Sequence, residues 1–215
     1  MTMQRTGSPS LATLQGGRKK AIDDATVLAA LHTLDKGRPR LVIVSSPLDA
    51  DYAKKAIQDC LFRGDAAHHP HLFYTQSGVL DPAVSNENDL CLLCGLAWGF
   101  AADASAFYVD AGITDTMALE MESAVDHSRP MEFRSFREGS SRLLFEIQPV
   151  KFSSGDLTLR LFGPSQDKAS LLKAVAEALV GETAPCTKWT LFQQETPEGW
   201  LLALAEDNML VPPNP

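Results

Sequence analysis

Apolar and polar positions change period several times along the chain, and each change marks an element. Leu41-Val42-Ile43-Val44 is an unbroken apolar, mostly β-branched run, the pattern of a strand covered on both faces. Ser45-Ser46-Pro47-Leu48-Asp49 breaks it, and Ala53, Ala56, Ile57, Cys60 and Leu61 then fit one face of a helix over Ala50–Arg63. Leu72-Phe73-Tyr74 reads as a second short strand, followed by a polar loop over residues 77–88. A helix over Glu87–Phe100 is predicted to bury Leu90, Leu93, Cys94, Ala97 and Trp98. Phe107-Tyr108-Val109 is again strand-like, and residues 110–115 carry the Gly, Thr and Asp of a loop, with Thr114 near its end. Met117, Met121, Ala124 and Val125 place a helix over Thr116–His127, which Pro130 stops before Met131-Glu132-Phe133 turns extended.

Strand and helix alternate through this stretch, which predicts an α/β domain over residues 23–138, with a parallel sheet flanked by helices. Residues 1–22, rich in Gly, Ser, Thr and Gln, read as a flexible arm, and a helix is expected over Ala25–Leu34. Beyond residue 140 the pattern changes. Strands over Arg142–Ile147 and Leu157–Phe162, a helix over Lys168–Leu179, and a hairpin of Trp189–Gln193 with Trp200–Leu204 make a ββαββ extension across residues 141–210. Such a unit is small for a self-sufficient core. Leu157, Leu159 and Leu161, with Trp189 and Trp200, are therefore expected to pack on the first domain or on a second copy, giving a homodimer. The proline-rich tail over 211–215 should be irregular.

Composition narrows the function. The formal net charge of −8 argues against a duplex nucleic-acid surface. No apolar run approaches the roughly 20 residues of a membrane span, and the basic residues near the start lack the apolar core of a signal peptide. Four cysteines among ordinary core residues fit a reducing, cytoplasmic setting. Three histidines in His68-His69-Pro70-His71 invite a metal, yet the nearest thiols, Cys91 and Cys94, stand at helical spacing without a knuckle-like turn. No metal and no cofactor are expected, and a single histidine, His71, is the better candidate for touching a ligand.

Two carboxylates stand out. Glu120 falls about 80° from the centre of its helix's apolar face, whereas Glu122 points well away. It sits close to where strand meets helix, the side on which open α/β sheets bind ligands. Its structural alternative is a boundary carboxylate bonded to a neighbouring Arg or Thr. Asp89, near the start of the preceding helix, is either a first-turn acid complementing the helix dipole or a second carboxylate facing Glu120. The Ser45-Ser46 turn offers hydroxyls and backbone N–H groups to a polar ligand.

Across residues 41–136 the segments LVIVSSP, PHLFYTQ, ENDLCLLCGLAWGFAADASAFYV and GITDTMALEMESAVDHSRPMEF resemble the nucleoside 2-deoxyribosyltransferase-like superfamily, most closely its small uncharacterised phage and bacterial members. The resemblance implies a flavodoxin-like sheet binding a nucleoside or nucleotide at its carboxyl edge. It implies Glu120 as the catalytic carboxylate, Asp89 as the acid on the base side, and Ser45, Ser46 and Pro47 as the first binding loop. His71, Thr114 and Thr116 complete the expected substrate contacts. Thr116 stands where the family commonly has Gly, and Glu122 where many transferases have Gly. The implied chemistry is N-glycosidic cleavage or base exchange. A carboxylate meets the positive charge that builds at C1′, and an acid assists departure of the base. The alternative from another class is a nucleotide-binding protein that keeps the pocket without turnover. A third is a structural protein whose C-terminal half meets a partner.

Overall fold

The parallel part of the sheet forms where the sequence is most apolar. Strand β1 (Leu41–Ser45) lies between β2 (Ala66–His68) and β3 (Ala104–Tyr108), and β4 (Met131–Ser135) pairs with β3, all four parallel. Every residue of β3 and β4 is buried, as strands covered on both faces require. This computed structural model describes residues 38–47, 49–136, 141–151, 160–182 and 187–206. The expected arm, the helix over Ala25–Leu34, Leu157 and Leu159, and the proline-rich tail lie outside the described residues.

The connecting helices start on side-chain caps. Helix α1 (Ala50–Phe62) is capped by Asp49, whose carboxylate accepts the Tyr52 N–H at 2.7 Å. Helix α4 (Asp115–Asp126) is capped by Thr114, whose hydroxyl accepts the Met117 N–H at 3.1 Å. Each cap satisfies a backbone donor that the first helical turn leaves free.

The C-terminal ββαββ unit continues the sheet. Strand β5 (Arg142–Lys151) runs antiparallel to β4. Strand β7 (Thr187–Thr196) is parallel to β5 and forms a hairpin with β8 (Gly199–Glu206), and β6 (Arg160–Ser165) closes the edge antiparallel to β8. The order is β2-β1-β3-β4-β5-β7-β8-β6, an α/β architecture with a mixed sheet. Helix α5 (Lys168–Glu182) packs beside α4. One core then spans both halves: Phe107, Met121 and Phe133 from the first join Phe145, Val175, Leu179, Leu191 and Leu204 from the second. The Phe133 and Phe145 rings stack at 4.4 Å across the β4–β5 junction.

Three expectations change. Leu72-Phe73-Tyr74 is helical, not extended: α2 (Pro70–Tyr74) has Pro70 at its first turn and His69 as N-cap, its Nδ1 accepting the Leu72 N–H at 3.3 Å. Proline is pre-set for that position, and the strand lies one step earlier at Ala66–His68. Helix α3 (Ser85–Ala101) buries Cys91, Gly95 and Gly99, while Leu90, Leu93 and Trp98 are about half exposed or more. Close approach of Pro70 to Gly95 and of Arg129 to Gly99 decides which side faces inward. Finally, Leu161 is 63% exposed, so it does not pack on the first domain, one of its two expected settings.

Candidate functional site

The crevice between the carboxyl ends of β1 and β3 is where strand order reverses, because β1 leads to β2 on one side and β3 lies on the other. Ligands of open α/β sheets gather at such a point. Here the Ser45-Ser46 turn, the start of α2 and the start of α4 enclose a cleft lined by Ser45, Ser46, His69, His71, Thr114, Thr116 and Glu120. Its free volume is about 30 Å³, room for one or two waters.

Glu120 is the chemical centre. Its Oε2 is buried and carries no hydrogen-bond partner among the described groups. Burial raises the carboxyl to about 7, against the opposing pull of the Ser45 hydroxyl and the positive charge of Arg129. Arg129 is buried behind it, donating from Nε to the Ser105 hydroxyl at 2.8 Å and from Nη1 to the Gly99 carbonyl at 2.8 Å. The guanidinium is thus fixed by neutral acceptors, and among the described residues its charge is met by that of Glu120. A group near 7 exchanges its proton readily at neutral pH.

The histidines divide the labour. His69 is 4% exposed, and burial chiefly, with His71 and His68 nearby, pushes it down to about 4. It is neutral at pH 7. Because Nδ1 accepts the Leu72 N–H, the ring proton is assigned to Nε2, which donates to the Ser46 hydroxyl at 2.8 Å. Ser46 in turn donates to the Pro47 carbonyl at 3.2 Å. This tautomer cannot take the serine proton, so Ser46 is a held hydroxyl, not an activated nucleophile. His71 places Nδ1 at 2.8 Å from the Thr75 hydroxyl, whose own hydrogen goes to the His71 carbonyl at 2.6 Å. His71 therefore has Nε2 as an acceptor, which the Gln76 side-chain amide meets at 3.4 Å. Burial holds it below its ordinary value.

Ser45, Ser46, His71, Thr114, Thr116 and Glu120 are brought together in one cleft, and two other candidates are not. Pro47 does not line the cleft, and Asp89 is exposed on α3 outside it. His69 and Arg129 are the functional neighbours that periodicity missed. A His directly before Pro, able to cap the helix that Pro starts, signals the first. A lone Arg in the turn between α4 and β4 signals the second. Among the described residues, no three His, Cys, Asp or Glu side chains converge as metal ligands, and no helix is long and apolar enough to cross a membrane.

Helix α2 is a thin wall. On its far side lies a cavity of about 400 Å³ lined by Ile57, Ala67, Leu72, Phe73 and Val79, with His69 bordering both spaces. Gly95 holds this wall in place: a Cβ there would stand 2.9 Å from Pro70 Cγ and 3.9 Å from Glu120 Oε1. Gly95→Ala is expected to push α2 aside and cost about 1–3 kcal/mol, measured by urea unfolding. A neutral result would show that Pro70 yields freely.

A protein-family model described as a domain of unknown function, DUF7768, matches residues 40–134, from just before β1 almost to the end of β4. Neither the curated proteins nor the solved structures contain a match to this chain.

Proposed function

We propose that the cleft binds a nucleoside and that Glu120 acts on its N-glycosidic bond, by hydrolysis or by transfer to a second base. The observation that carries this reading is Glu120, whose Oε2 is buried without a partner among the described groups and whose side chain lines a cleft with four hydroxyl residues and two histidines. Such groups suit the hydroxyls of a sugar. The four parallel strands in the order β2-β1-β3-β4 support a flavodoxin-like reading of this half, the fold that the resemblance to nucleoside 2-deoxyribosyltransferase-like proteins implies, within a sheet that β5 makes mixed. Among the described residues no Lys or Arg lines the cleft, which favours a neutral nucleoside over its 5′-monophosphate. The free volume of the cleft is far below that of a nucleoside, so binding requires α2 to move. That displacement joins the cleft to the apolar cavity behind His69, where a planar base finds its surface. Glu120 then meets the charge that develops at C1′.

A second reading is favoured by two observations: the closed cleft and the position of Asp89 outside it. In that reading the protein holds a nucleoside without cleaving it. Incubation with a panel of nucleosides and nucleoside 5′-monophosphates, followed by liquid chromatography, separates the two. Free base from a nucleoside is the expected product, and exchanged base in the presence of a second base marks transfer. Intact ligand retained by the protein establishes the binder, and neither turnover nor binding across the panel overturns both.

A further inference from the structure

The geometry points to the cavity behind α2 as a standing site for a free purine base, open while α2 is still in place. This deepens the nucleoside reading, on which it rests for the place of the sugar, by naming the class of base. His68, the last residue of β2, puts the cavity at the carboxyl edge of the sheet, the edge that also carries the Ser45-Ser46 turn. Helices α1 and α2 flank it through Ile57 and Phe73. Its volume of about 400 Å³ is that of a small-molecule site. Among the described residues no Asp, Glu, Lys or Arg lines it. A charged ligand would lose its hydration there without a partner, so the space suits a neutral one.

Size and polarity select the occupant. An apolar cavity of about 150 Å³ takes up a single benzene ring, so about 400 Å³ holds two fused rings. A one-ring pyrimidine would leave part of the wall without contact atoms. His68 is surrounded by aromatic rings, with Trp98 at 4.9 Å, Phe73 at 5.6 Å and Tyr74 at 6.1 Å. The Trp98 Nε1–H donates to the Tyr74 hydroxyl at 3.0 Å, which fixes that surround. His68 Nε2 is buried with no hydrogen-bond partner among the described groups, a cost that a ligand can relieve. Burial lowers the proton affinity of the ring, and a neutral imidazole offers one donor and one acceptor. A purine answers both, with ring nitrogens that accept, an N–H that donates, and flat faces for the aromatic side chains. A hydrocarbon of the same size would leave the imidazole nitrogen unmet. Phe73 and Val79 line the cavity yet are 60% and 67% exposed, apolar surface that a flat ring covers. His69 borders the cavity and the Glu120 cleft alike, so a base seated here lies next to the place of the sugar.

Isothermal titration calorimetry of the full chain with adenine and with hypoxanthine tests this, with uracil as the one-ring comparison. Both purines are expected to bind with a Kd of about 100 µM or tighter, and uracil at least about tenfold more weakly. Val79→Trp adds an indole to the rim and should weaken purine binding by at least about tenfold. His68→Leu keeps the bulk and removes the nitrogen, and should cost roughly tenfold, the worth of one hydrogen bond. Position 79 is exposed, so circular dichroism of Val79→Trp should match the wild-type chain. Absence of purine binding overturns the proposal, as does uracil bound as tightly as adenine, or purine binding unchanged in both variants. Nucleoside cleavage without free-purine binding would refute this site and leave the role of Glu120 standing. Purine binding that both variants weaken, with no nucleoside cleaved, would uphold the site and remove the chemistry.

Discussion

Replacing Arg134 by Met is expected to cost about 3–5 kcal/mol, the range for leaving a buried charge without its partner. Arg134 is 1% exposed in the middle of β4, on the face that α1 covers. Its guanidinium reaches Glu132, Asp65 at 3.3 Å, the Tyr108 hydroxyl at 3.1 Å and Cys60 Sγ at 3.1 Å. Arg40 shares the same two acids, bonding Glu132 and holding Asp65 from Nε at 3.0 Å. Two cations thus balance two buried carboxylates, and removing Arg134 leaves one negative charge in excess. At about 2–4 °C per kcal/mol for a chain of this size, the melting temperature should fall by roughly 10 °C. Replacing Glu132 by Leu in the same chain removes the stranded charge, so the double variant should recover part of the loss. Burial alone would raise the Glu132 carboxyl, but Arg40 and Arg134 outweigh it and hold it below its ordinary value. Its contribution is therefore complete above the ordinary carboxyl range and is lost as pH falls through the lowered folded value. The Arg134 effect should shrink in parallel with acid. A loss under about 1 kcal/mol at pH 7 would mean that Arg40 alone neutralises the group.

What could be read in advance followed from periodicity. The strand at Leu41 and the helices after Asp49 and Thr114 have clear periods and side-chain caps. The Ser45-Ser46 turn and Glu120 could be named from their patterns and Thr114 and Thr116 from the family resemblance, and the loops that follow β1 and β3 meet because those strands are neighbours. Helix α3 hid its inward side because apolar residues occur nearly all round it. The choice fell to the two glycines, which admit Pro70 and the Arg129 guanidinium. Asp89 was lost for that reason, lying about 120° round the helix from Gly95. Residues 70–74 are too short for a period, and only the His-Pro capping pair distinguishes them from a strand. The β4–β5 pairing is a contact across the chain that no local pattern specifies. The charged Glu132 and Arg134 in an otherwise buried strand give a sign of their own: alternate ionic residues facing inward must find partners.

Glu120→Gln is expected to abolish N-glycosidic cleavage while making the folded chain more stable at alkaline pH. Amide and carboxylate have nearly the same shape, so packing against Gly95 and Pro70 is kept, but the amide can neither ionise nor exchange the proton the reaction needs. The stability gain follows from the raised carboxyl. With a folded value of about 7 against an ordinary 4.5 when unfolded, the folded state binds the proton more tightly between those values. Stability of the wild-type chain therefore falls as pH rises through that window. At 1.36 kcal/mol per pH unit the penalty at pH 8 is on the order of 3 kcal/mol. The glutamine variant escapes it, so urea unfolding should show it more stable by about 2–3 kcal/mol at pH 8 and nearly equal to wild type at pH 4.5. Activity of the wild-type chain should change across the same window, with an apparent midpoint near 7. A sugar that brings a hydroxyl to Oε2 would lower that midpoint in the bound state by favouring the ionised form. Equal destabilisation of the variant at both pH values would show that Glu120 is a structural acceptor whose partner the amide fails to satisfy. Loss of activity without any alkaline stabilisation would leave its catalytic role standing and remove the buried charge as its cause.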